Sequence, residues 1–338
     1  MVREIRSLQV TGGETYIVSL PKNWIKSLKL NPHDKVVMVE NEDSSLAIYP
    51  AKLLDKKTKR SVTLMFEELM DENTLIRECI GSYLAGYTNI KIIFDKKNIQ
   101  KKAFVKNTLR DKLIGIEVIE EGIDNMTIQV FAETKEAGLI KTLNRLFSVV
   151  FLMLENLLEG MKANLDILKE VSKLDDEVDR FYHFITRQIN LAIEDPYSML
   201  DLGVSKKTVL IEYRLFSKTL ERIADHISLI SKNYVEAEKE IDKDVMEELL
   251  NIGSEVKALF MKASNAFLDN KVKMARENAL EIEEFIAEID ASLEKITRQI
   301  RERDALPLVR MILESFRRIA EYSMDICELA INIEKLNK

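Results

Sequence analysis

The pentapeptide Ile-Thr-Arg-Gln-Ile stands at residues 185–189 and again, unchanged, at 296–300. Its context repeats too, since Val178-Asp179 precedes the first copy at the distance at which Ile289-Asp290 precedes the second. Further on, Glu221-Arg222-Ile223-Ala224-Asp225 is echoed by Arg317-Arg318-Ile319-Ala320-Glu321. The first offset is 111 (296 less 185) and the second 96 (319 less 223), so the first copy holds fifteen extra residues between its landmarks. The segment from Asp195-Pro196 to Gly203 is the natural place for them. From Gly138 almost to Leu336 apolar residues recur at helical spacing, with breaks near Asp195-Pro196, Leu202-Gly203, Tyr234 to Asp242 and Arg303 to Pro307. A duplicated stretch with that period predicts about six helices, arranged as two three-helix units.

Upstream the period changes from helical to alternating. Leu8 and Val10, then Tyr16, Val18 and Leu20, flank Thr11-Gly12-Gly13-Glu14, which is a β-hairpin pattern. Pro21 opens a short helix through Trp24, Ile25 and Leu28, and Asn31-Pro32-His33-Asp34 ends it. A second hairpin follows, with Val37 and Val39 before, and Leu46 and Ile48 after, a turn at Asn41 to Ser45. A unit of about fifty residues has a marginal core of its own, and with neither disulfide nor metal signature it is expected to dimerise. From Ser61 to Phe131 the order reads strand, helix, strand, helix, strand, strand, a small α+β domain of ferredoxin-like character. The chain is thus expected to be multidomain, with a β module at 1–52, an α+β domain at 60–135, and helical repeats at 139–238 and 239–338.

Several function classes are excluded. No GxGxxG or Walker-type spacing is present, so nucleotide binding has no support. No nucleophile–base motif stands out, and three histidines without a Glu-x-x-His pair weigh against a di-metal carboxylate enzyme. Cys79 and Cys327 form no CxxC pair, and the amino terminus has no signal-peptide core. The most hydrophobic run, Val149 to Leu154, is too short to span a bilayer, so a cytoplasmic protein is expected. A net charge of −7 argues against indiscriminate nucleic-acid binding. Local DNA contact falls to the amino-terminal module, with Arg3, Arg6 and Lys22 as candidates, and to the basic run Lys56, Lys57, Lys59 and Arg60. Glu4, Glu14 and Asp34 are mixed among these residues.

Residues four apart share a helix face, so Asp175 with Asp179, Glu221 with Asp225, and Glu321 with Asp325 set like charges side by side. Carboxylates facing each other from two helices suit a hard or borderline cation such as magnesium, iron or zinc, while a solvated acidic face is the plainer reading. His183 lies one turn beyond Asp179, and His226 follows Asp225. Either suits a metal, although a histidine beside an acid is more often hydrogen-bonded or exposed.

The duplicated bundle, with its acidic pairs and its arginine-isoleucine-small-acid signature, resembles the PhoU family over roughly residues 139 to 336. VTGGETYIVSLPKNW, followed by NPHDKV, resembles the SpoVT/AbrB swapped-hairpin module, and archaeal PhoU-like phosphate uptake regulators combine the two. The resemblance implies a regulator of phosphate homeostasis that acts on a phosphate transporter or its signalling proteins. It also implies metal on acidic surface motifs, a homodimer through the amino-terminal module, and contact with promoter DNA. Carried across by position, the family's acids fall on Asp175, Asp179, Glu221 and Asp225 in the first repeat, and on Asp290, Glu321 and Asp325 in the second. Three departures bear on those sets: Ile286 stands where an acid four before Asp290 is expected, Arg317 replaces the first acid of the second signature, and Leu229 fills a polar place. His33 sits where glycine is common. A transcription factor with a structural helical tail is the alternative.

Overall fold

The computed structural model describes residues 4–40, 44–51, 60–67, 70–131, 138–163, 165–194, 198–199, 202–204, 206–237, 241–301 and 303–337. The chain divides into two compact units, Met1–Lys59 and Arg60–Lys338.

The first unit holds two hairpins and a short helix. β1 (Gln9–Thr11) pairs antiparallel with β2 (Thr15–Ile17), and β3 (Val36–Glu40) with β4 (Leu46–Pro50). Between them runs α1 (Lys22–Ser27), with Pro21 as its cap rather than its first residue. Gly12 and Gly13 turn the first hairpin at positive φ, and His33 ends the helix region at φ 73°, a left-handed conformation that explains the preference for glycine there. Among the described residues of this unit no hydrophobic side chain outside Pro50 is buried, and Ile5, Leu8, Val10 and Tyr16 stand open to solvent.

The second unit begins with the α+β region: β5 (Ser61–Phe66), α2 (Glu72–Leu84), β6 (Asn89–Phe94), α3 (Lys102–Lys112), β7 (Ile116–Glu121) and β8 (Asn125–Val130). Asp71 caps α2 by accepting from the Thr74 amide at 2.8 Å, an ordinary helix start. The strand order is β5-β6-β8-β7, with β5 parallel to β6 and the other pairs antiparallel. This departs from the expected ferredoxin-like pattern, in which the direct strand-to-strand connection lies in the middle of the chain order. Here, among the described residues, both α-helices fall between the first three strands, and the β7–β8 hairpin comes last. Phe66, Ile90, Ile92, Phe94, Met126 and Ile128 form the core with Leu75, Cys79 and Tyr83 of α2 and Val105 and Leu109 of α3.

Among the described residues six long helices follow: α4 (Leu139–Ala163), α5 (Leu165–Glu194), α6 (Lys207–Ala237), α7 (Lys243–Leu268), α8 (Val272–Gln299) and α9 (Leu306–Asn337). The first three pack against one another, as do the last three, and the two bundles meet through α6 on α9 and α4 on α7. The two Ile-Thr-Arg-Gln-Ile segments fall in or at the end of the middle helix of each trio, and Ile185, Ile189, Ile296 and Ile300 are all buried. The apolar stripes of both trios join in one core, in which Phe216 stacks on Phe267. Met and Phe residues such as Phe147, Met153 and Phe260 lie in or against that core. Most of the extra segment of the first repeat, including Asp195-Pro196, lies outside the described residues, as do Arg3, Lys56, Lys57 and Lys59.

Candidate cation site on the helical repeats

α5 and α6 run antiparallel, with their register set by two polar contacts. The Ser231 hydroxyl donates to the Leu168 carbonyl at 2.8 Å, and Arg214 donates to Asn190 Oδ1 at 3.4 Å. Between these points Asp175 and Asp179 on α5 come to face Glu221 and Asp225 on α6. Burial, and after it their mutual repulsion, weakens the acidities. Burial and the Asp179 charge, with a smaller push from Asp225, raise Asp175 to about 6. Desolvation, Glu221 and Asp179 raise Asp225 to about 6 as well. Two ammonium groups offset part of this charge. Lys218 pairs with Glu221 at 2.5 Å, and Lys112, the last residue of α3, reaches Asp179 at 3.4 Å. Among the described residues no three acids, histidines or cysteines converge on one point as a ready-made ligand set.

His183 faces α3 rather than the acids: its Nδ1–H donates to the Lys112 carbonyl at 3.1 Å. His226 turns toward the second bundle, its ring 5.9 Å from that of Tyr322.

The second repeat solves the same electrostatic problem differently. Arg317 stands at the place of Glu221, and its guanidinium bridges Asp290 at 3.0 Å and Glu321 at 2.9 Å. Arg318 adds a second contact to Glu321 at 2.9 Å. Asp290 and Glu321 are thus drawn together, around an arginine. Asp325 lies one turn beyond Glu321, and its acidity is weakened by burial, Glu328 and Glu321 while Arg222 of α6 acts the other way.

Sequence reasoning missed the residues that dock the α+β region on α5. Arg187, inside the first repeat pentapeptide, is buried and donates to the carbonyls of Tyr83, Tyr87 and Gly86 while lying 4.8 Å over the Tyr83 ring. Asn190 donates to the Leu84 carbonyl at 2.9 Å. Together they donate to carbonyls at and just beyond the end of α2, of which that of Tyr83 also accepts from the Gly86 amide. The available signal was an arginine in a repeat bounded at both ends by isoleucine. Of the DNA candidates, Arg6 pairs with Glu4, Lys22 is exposed at the start of α1, and Arg60 is engaged with Glu194 at 2.6 Å.

Residues 143–234 match the sequence profile of the PhoU domain. The chain contains a PhoU domain. It spans α4 to α6 and encloses Asp175, Asp179, Glu221 and Asp225. Residues 9–55 match the profile of the antidote-toxin recognition protein MazE, a bacterial antitoxin, so a MazE/AbrB-like domain precedes the PhoU domain. Among solved structures, PhoU from Pseudomonas aeruginosa is similar to 58% of this chain and 95% of its own, at 14% identity and a TM-score of 0.43. No curated protein matches the chain. Among the described residues no helix is long and apolar enough to cross a membrane.

Proposed function

We propose that this chain is a cytoplasmic, non-enzymatic regulator of phosphate uptake that works by binding proteins of the transport and signalling machinery. The PhoU domain at residues 143–234 is the observation that carries this reading. We divide the chain at the boundaries expected from the sequence: 1–52, 60–135, 139–238 and 239–338. The amino-terminal module sets a homodimer, a reading supported by its apolar side chains standing open in one copy, and its Arg6 and Lys22 contact promoter DNA.

The first repeat is the better cation site. Asp175, Asp179, Glu221 and Asp225 offer oxygen donors from two helices, offset in part by Lys112, Lys218 and Arg222, a set suited to magnesium, iron or zinc. When bound, such an ion supplies positive charge that binds the two helices together. In the second repeat Arg317 already fills that need for Asp290 and Glu321.

Phosphate uptake measured in phosphate-rich cells, with and without the gene, tests the regulatory reading. Unchanged uptake and transporter expression after deletion sink it. Metal analysis of protein purified without chelator tests the site, where Asp179→Ala and Asp225→Ala should lower occupancy. A gel shift over several salt concentrations decides DNA contact.

A further inference from the structure

We propose that the α+β region is a releasable cover on α5: it separates from the docked face as a folded body, and Arg187 is the latch that holds it shut. While shut, it keeps that face of the PhoU domain from any partner protein.

The duplication shows that the bundle needs no cover there. His183, Arg187 and Asn190 correspond, at the offset of 111 (296 less 185), to Glu294, Arg298 and Arg301 on α8. In that copy the face stands in solvent, with 76% and 80% of the Glu294 and Arg298 side chains exposed, although the isoleucines of the pentapeptide are buried in both copies. Docking is therefore an addition to the three-helix unit and not a condition of its fold.

The seam has the composition of a contact that opens. The apolar core of the α+β region and that of the bundles are separate clusters, and His183, Arg187 and Asn190 join the two bodies by donating to backbone carbonyls. Polar contacts between regions of one chain permit relative motion, which a large apolar interface would forbid. The ion pairs at the rim, Arg60 with Glu194 and Lys112 with Asp179, are partly exposed and add little. Arg187 itself is only 4% exposed, yet among the described residues no carboxylate pairs with it and its Nε–H has no partner. A guanidinium shut away with carbonyls alone recovers only part of the hydration it gave up. Its hydrogen bonds hold the cover, and its uncompensated charge keeps that hold weak.

The test is thiol labelling of the full chain over a range of low urea concentrations. Thr186 lies one turn from both His183 and Asn190 on the docked face, is fully buried, and its hydroxyl has no partner, so Thr186→Cys sets a probe in the seam without breaking a hydrogen bond. Cys79, in the core of the α+β region, and Cys327, in the core of the bundles, are buried and free, and report the unfolding of each body. The new thiol is expected to react faster than either, at a rate that rises only weakly with urea, because release exposes far less surface than unfolding. Adding Arg187→Gln, or Arg187→Lys where the first does not fold, should speed it about tenfold with the weak urea dependence kept. A second probe, Leu191→Cys against Gly86, should show the same urea dependence, and decides if Thr186→Cys does not fold. Seam thiols that react only in step with Cys79 and Cys327, at the urea dependence of whole-chain unfolding, overturn the cover. A rate unmoved by the Arg187 substitution overturns the latch.

Discussion

Replacing Asp175 by asparagine should stabilise the metal-free chain near neutral pH and do little in acid. Asp175 rises from 3.8 to about 6 because burial and the Asp179 charge disfavour its ionised form. A folded value above the unfolded one means that the native state holds the proton more firmly, so the carboxylate costs no stability below about pH 4, costs progressively more up to about pH 6, and its full amount above that. At about 1.4 kcal/mol per unit the shift sets an upper limit of about 3 kcal/mol. The side chain is only half buried and shares its repulsion with Asp179 and Asp225, which reduces the figure to about 1 kcal/mol. For a unit of this size that is a rise of about 2–4 °C in the melting midpoint. The assay is thermal melting followed by helical circular dichroism at about pH 8 and about pH 4, in chelator. A variant that melts lower at both, or shifts equally at both, refutes the claim that charge repulsion strains this site.

Three further changes probe the packing. Arg187→Ala removes the buried side-chain donor to the Tyr83, Tyr87 and Gly86 carbonyls and should cost about 3 kcal/mol, seen as faster amide exchange in the last turn of α2 and a lower urea midpoint; an unchanged midpoint argues against the docking. Gly253→Ala puts a methyl 2.5 Å from Leu158 Cδ2 and 2.8 Å from Phe316 Cζ where α7 meets its neighbours, and should cost about 1–3 kcal/mol by melting. A neutral result there means that the bundles do not meet as described. Leu8→Lys with Tyr16→Lys should turn a dimer into a monomer by light scattering while helical content holds, and a parent chain that is already monomeric refutes the dimer.

The six helices and the four strands of the α+β region were legible because each keeps one period over most of its length, as in Val62, Leu64 and Phe66 or in Ile185, Ile189 and Ala192. Strand order was not. Periodicity gives the buried face of β6 and β8 but says nothing of which neighbours pair, and the late hairpin decides that. The acids were visible from the duplication, and so was Arg317, whose role as a bridge needed the register of α8 against α9. Lys112 lies 67 residues before Asp179, on an amphipathic helix already supplied with exposed lysines, so only the docking of one region on another could single it out. His183 follows Asp179 by one turn, which suits a ligand but more often marks a hydrogen-bonded histidine, and the same docking gives its ring nitrogen a carbonyl.

The apolar interior that runs from Leu139 to Ile333 ties the tandem copies into one thermodynamic body. Severing the chain between α6 and α7 leaves two halves, each with a raw oily flank where the other had been. Neither fragment inherits a finished surface, so the twin halves are expected to unfold as one body.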